Sequence, residues 1–126
     1  MKKKILSHNA PQPIGPYSQA IKYNNILVIS GQIGINPKTG KLIKNDIVKE
    51  TKMVMENIKH ILLESNCTLD NIIKCSIFLS NMDFFDTINE VYGSYFTNPY
   101  PARETVEVSR LPKNVNIEIS AIAICK

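Results

Sequence analysis

Between Asp46 and Ser65 the apolar residues Ile47, Val54, Met55, Ile58, Ile61 and Leu62 fall on one stripe of a 3.6-residue period, which predicts an amphipathic helix. Asp46 suits an N-cap, Glu50 lies where the helix dipole favours a carboxylate, and Asn66 suits a left-handed stop. From Ile72 to Ser80 the period changes to two: Ile73, Cys75, Ile77 and Leu79 share one face, and Lys74, Ser76, Phe78 and Ser80 the other. A helical period returns from about Asp83 to Phe96, with Phe85, Ile88, Tyr92, Tyr95 and Phe96 as its buried stripe; core packing is the favoured reading of these aromatics. After the breaker Asn98-Pro99-Tyr100-Pro101, two strands are expected, Glu104 to Ser109 and Val115 to Cys125. The last alternates Val115, Ile117, Ile119, Ala121 and Ala123 against Asn116, Glu118, Ser120, Ile122 and Ile124. Its second face turns apolar toward the end, so something is expected to cover it.

The N-terminal third reads as loop and strand. Ala10 to Pro16 is a rigid extended loop fixed by its prolines. Gln19 to Tyr23 and Ile26 to Ser30 flank Asn24-Asn25, a pattern for a hairpin because Asn tolerates positive φ. Gly31 permits a bulge or a close backbone approach, and Asn36 to Gly40 is a turn. The implied order is β-β-β-α-β-α-β-β: an α+β fold with a mixed six-stranded sheet and both helices on one face. The opposite face still carries Ile and Val. Left bare it would be a large apolar patch, so it is expected to pack against copies of itself.

Composition narrows the class. With 126 residues and no compositional break, residues 1–126 form a single domain. An apolar fraction of 44% and a net charge of +4 fit an ordinary globule with solvated lysines better than a nucleic-acid binder with one basic face. Cys67, Cys75 and Cys125 form no CxxC pair, and their odd number favours reduced, buried thiols. His8 and His60 are far apart and lack metal-ligand spacing, so no metal site is expected. Only Ile5 and Leu6 follow the N-terminal lysines, and no run reaches membrane-span length, so a cytoplasmic protein with no membrane partner is expected.

Two charged residues stand out. Arg103 follows Tyr100-Pro101-Ala102 at the start of a strand, where its planar fork would be held in place. It suits a carboxylate ligand, the alternative being a surface salt bridge. Glu118 lies mid-strand among apolar neighbours. A carboxylate there is ion-paired or used for proton transfer, and the residues alone favour the ion pair. The chain has no GxSxG, P-loop, GxGxxG or HExxH motif.

Three stretches together resemble the RidA family, also called YjgF or L-PSP. They are Ala10-Pro11-Gln12-Pro13-Ile14-Gly15-Pro16-Tyr17-Ser18-Gln19-Ala20, Val28-Ile29-Ser30-Gly31-Gln32-Ile33-Gly34, and Pro101-Ala102-Arg103-Glu104-Thr105-Val106-Glu107-Val108-Ser109-Arg110-Leu111-Pro112 continuing through Ile117 to Ala123. The resemblance implies a chorismate-mutase-like homotrimer, a central barrel of three sheets with ligand clefts between subunits. It also implies cofactor-free hydrolysis of 2-iminobutanoate and 2-iminopropanoate to 2-keto acids and ammonia, protecting pyridoxal-phosphate enzymes from reactive enamines and imines. Arg103 and Glu118 would then be catalytic, Arg103 clamping the substrate carboxylate and Glu118 handling the attacking water. Tyr17, Ser30, Gly31, Asn89 and Thr105 would bind substrate. Many members carry Cys where Thr105 stands, which keeps the backbone N–H but changes the pocket. Two rivals remain at this point: a non-catalytic, chaperone-like trimer that binds small carboxylates, and an endoribonuclease that inhibits translation.

Overall fold

A computed structural model describes residues 1–126. The longer helix, α1 (Ile47–Leu63), starts where Asp46 Oδ1 accepts the Lys49 N–H at 3.0 Å, and Asn66 beyond its end adopts φ 56°. Val54, Met55, Ile58, Ile61 and Leu62 are fully buried against the sheet. Burying one such side chain contributes about 1.5–3 kcal/mol. Glu50 does more than answer the dipole: buried at 1% exposure, it accepts from the Asn116 N–H at 2.8 Å and the Asn116 amide at 3.0 Å, tying α1 to the start of the last strand.

The strands are β1 (Lys3–Ile5), β2 (Ala20–Tyr23), β3 (Ile26–Gln32), β4 (Ile72–Leu79), β5 (Ala102–Glu107) and β6 (Ile117–Ile124). They form one open mixed sheet in the order β1-β2-β3-β6-β4-β5, in which only β4 and β5 run parallel. That parallel pair needs a crossover, which α2 (Phe85–Gly93) supplies. The α+β architecture and the order β-β-β-α-β-α-β-β therefore match the reading of the sequence. Asn24, at φ 53°, makes the tight β2–β3 turn. One core, containing Leu27, Ile29, Ile58, Ile77, Ile88 and Ile119, fills the space between the sheet and both helices.

Several expectations need correction. β1 lies within a segment read as lysine-rich surface; Ile5 is buried there because it pairs with Ala20. The second helix is shorter than Asp83 to Phe96: a 3₁₀ turn (Met82–Phe84) precedes it, and Asn81 caps that turn by accepting the Asp83 N–H at 2.8 Å. β5 starts earlier and ends earlier than Glu104 to Ser109. In β4 a register shift between Ile72 and Lys74 turns Ile72 inward and leaves Ile73 exposed. The reduced-thiol reading fails for two cysteines. Cys67, just past α1, and Cys125, just past β6, form a disulfide with a Cα–Cα separation of 5.7 Å. The sheet folding under α1 brings these distant positions together, and spacing could not show it. Cys75 is a buried free thiol.

The face away from the helices is uncovered in the chain. Tyr23, Ile26, Val28 and Val106 are exposed on it, and Ile122 and Ile124 are half-buried. No helix is long and apolar enough to cross a membrane.

Candidate active site

Arg103 lies on β5, an edge strand, in register with Cys75. Cys75 faces the helices, so Arg103 does too, and its guanidinium carbon stands 5.0 Å from the Tyr92 ring centre and 5.8 Å from that of Phe85. Arg103, Asn89, Tyr92, Gly93, Tyr100 and Pro101 line an open cavity of about 340 Å³. Thr105 lies two residues further along the same face of β5, and its hydroxyl is buried without a hydrogen-bond partner. Asn89, Arg103 and Thr105 thus form one group at the sheet edge.

Glu118 lies on the other face of the sheet. It alternates with the buried Ile117 and Ile119, and its strand neighbour in register is Phe78. The carboxyl group is half-buried, and burial pushes its pKa above the ordinary carboxylate range. The only ion pair in the chain is Lys74 Nζ–Glu104 Oε1, at 3.1 Å. The ion pair favoured for Glu118 is therefore absent, because Phe78 and the β3 bulge occupy the places beside it. Arg103 makes no salt bridge either, since the helix facing it presents aromatic rings.

Gly31 sits at that bulge, where the β3–β6 register shifts between Ile29 and Gln32. A methyl group on Gly31 would lie 2.7 Å from Glu118 Cδ, so the backbone and the carboxyl group are in direct contact. The Ser30 hydroxyl donates to the Ser18 carbonyl at 2.6 Å and fixes the loop carrying Tyr17. The buried Gln19 holds the loop's other end: its Oε1 accepts the Ser7 N–H at 2.7 Å, and its amide donates to the Pro11 carbonyl at 2.8 Å. Tyr17 is half-exposed and shares a small hollow with Gly31, Ile14 and Ile33.

The expected site residues therefore fall into two groups. Tyr17, Ser30, Gly31 and Glu118 gather at the β3–β6 bulge; Asn89, Arg103 and Thr105 gather on the helix side of β5. Within one chain they do not meet. Sequence reasoning placed Phe85 and Tyr92 in the core and missed their contact with Arg103; their spacing of two helical turns from one another was the available signal. It also kept His8 and His60 apart, whereas both line a cavity of about 430 Å³, together with Lys38, Glu56 and Asn57. No group of three or more His, Cys, Asp or Glu is placed to hold a metal.

A family model described as Endoribonuclease L-PSP matches residues 7–125. The chain belongs to the Rid (YjgF/L-PSP) family. A RutC family protein of Pyrococcus horikoshii is 55% identical over 98% of this chain and 98% of its own. The mouse 2-iminobutanoate/2-iminopropanoate deaminase is 39% identical over 98% of this chain and 92% of its own. Among solved structures, the Rid protein YyfA of Yersinia pestis superposes with a TM-score of 0.96 at 50% identity, covering 98% of this chain and 99% of that one. E. coli TdcF with bound serine superposes with a TM-score of 0.93 at 38% identity, covering 98% and 99%. The Rid fold is thus shared from end to end, and both groups of candidate residues lie within the matched span.

Proposed function

We propose that this Rid protein hydrolyses reactive 2-imino acids such as 2-iminobutanoate and 2-iminopropanoate to 2-keto acids and ammonia, as a cytoplasmic homotrimer that needs no cofactor. One observation carries the reading. An unpaired guanidinium and an unpaired carboxylate of raised pKa stand on opposite faces of the same sheet, the first in an open cavity with Asn89 and the second against the Gly31 backbone. A neighbouring copy docked on the uncovered apolar face would bring the Arg103 group of one subunit to the Glu118 group of the next. Burial of Ile26, Val28 and Val106 would favour such docking.

The chemistry asks little of the protein. Arg103 clamps the substrate carboxylate through two charge-assisted hydrogen bonds, each contributing about 1.5–3 kcal/mol. Glu118 accepts a proton from water as the water oxygen bonds to the imine carbon. The C=N π pair moves to nitrogen, which takes that proton back from Glu118; Glu118 then accepts the hydroxyl proton as the C=O bond forms and the C–N bond breaks, releasing ammonia and the 2-keto acid. A carboxyl group whose pKa burial raises above the ordinary carboxylate value is a stronger base for both proton transfers. Tyr17 and Asn89 bound the cleft, and Ser30, the Gly31 backbone and Thr105 orient the substrate.

The test generates 2-iminobutanoate from threonine with a dehydratase and traps surviving imine with semicarbazide. Wild-type protein should suppress the trapped adduct and Arg103→Ala should not. Equal trapping with and without wild type would overturn the proposal. A non-catalytic carboxylate binder could use the same Arg103, and the bound serine in the TdcF structure favours keeping that reading in view. Glu118→Gln separates the two: an enzyme loses turnover while it still binds 2-ketobutyrate.

A further inference from the structure

Phe85, Asn89 and Tyr92 stand at positions i, i+4 and i+7 of α2, one stripe of the helix facing the edge strand. Arg103 rests against that stripe, its guanidinium carbon 5.0 Å from one ring centre and 5.8 Å from the other. A carboxylate in this place would occupy the guanidinium N–H groups and compete with an acidic substrate. Aromatic faces attract the cation through their quadrupole and leave every N–H free. Tyr92 is itself firmly seated: it is 4% exposed and packs on Phe96 with ring centres 4.8 Å apart. Burial keeps its phenol neutral far above physiological pH.

We infer that Tyr92 and Phe85 are positioning residues, an aromatic seat that holds the Arg103 fork ready for a substrate carboxylate. The inference rests on the reading of Arg103 as the carboxylate clamp. A long arginine side chain free in solvent would lose rotamer freedom each time a ligand bound. The seat removes that freedom beforehand, so binding costs less.

The test compares Tyr92→Phe, Tyr92→Leu and Phe85→Leu with wild type. One readout is independent of activity: the Nε–Hε resonance of Arg103 and its order parameter by NMR. The ring-current shift and the ordered side chain should persist in Tyr92→Phe and be lost in Tyr92→Leu. In parallel, Tyr92→Leu should weaken 2-ketobutyrate binding roughly fivefold to thirtyfold, the range of a partly desolvated cation–π contact. It should raise KM more than it lowers kcat, and should add nothing in an Arg103→Ala background. Phe85 is only partly buried, so Phe85→Leu reports if Tyr92→Leu fails to fold. An unchanged Arg103 resonance together with unchanged affinity in both leucine variants would overturn the inference. If Arg103→Ala binds 2-ketobutyrate normally, the clamp reading fails instead, and the NMR comparison still decides whether the seat exists.

Discussion

Gly31 lies directly beneath the carboxyl group of Glu118, so close that a side chain at 31 and the observed position of that carboxyl group exclude one another. Gly31→Ala should push Glu118 off its position. Activity should fall roughly a hundredfold, within the range assigned to a placed general base, while stability falls by about 1–3 kcal/mol. Steady-state imine hydrolysis and a denaturant midpoint measure the two effects; wild-type turnover in Gly31→Ala would show that this contact has no part in catalysis.

The raised pKa of Glu118, caused by burial, has a signed consequence for stability. The folded state holds this proton more tightly than the unfolded chain does. The favourable contribution is present below the ordinary value of 4.5 and is lost as pH rises through the raised value. Glu118→Gln should flatten this loss, so the stability gap between variant and wild type should move in the variant's favour as pH increases above 4.5. Urea unfolding at a series of pH values checks it, and parallel curves would contradict it. The same substitution should reduce turnover by about 10²–10⁴-fold.

Reading the sequence went furthest where local pattern decides. The α1 stripe, the Asp46 cap, the Asn24 turn and the alternation of β6 all follow from periodicity and from residues that tolerate particular backbone angles. Tertiary relations were less legible. Ile5 enters a strand only because β2 lies beside it, and Ile73 faces outward only because β4 shifts register. The pairing of Cys67 with Cys125 spans 58 residues and depends on the whole sheet. For the site, Arg103 and Glu118 could be singled out as charges in unusual places. That they occupy opposite faces depends on Arg103 pairing with Cys75 and Glu118 with Phe78, a register no spacing rule contains.

The Cys67–Cys125 disulfide joins the end of α1 to the end of β6. Cys125→Ala, or reduction of the wild type, should lower stability by about 2–4 kcal/mol, since the open chain regains the entropy of a long loop. Thermal unfolding with and without reductant tests this. Identical midpoints would show that the bond makes no contribution.

Asp46 caps α1 through the Lys49 N–H. Asp46→Ala should cost about 1 kcal/mol, the usual loss for an N-cap, with imine hydrolysis unaffected because Asp46 lines neither the Arg103 cavity nor the hollow at Gly31. Denaturant unfolding and the trapping assay together check it. A loss much larger than this would mean that Asp46 supports more than the helix start.

The central claim is that an Arg103 group and a Glu118 group work together only when contributed by two copies of the chain. Mixing Arg103→Ala with Glu118→Gln subunits, by refolding or co-expression, tests it most directly. Each variant alone should be inactive. In an equal mixture about a quarter of the inter-subunit sites should combine one intact Arg103 with one intact Glu118, restoring about that fraction of wild-type turnover. A mixture that exchanges subunits, shown by mass spectrometry, yet stays as inactive as its parents would contradict the claim.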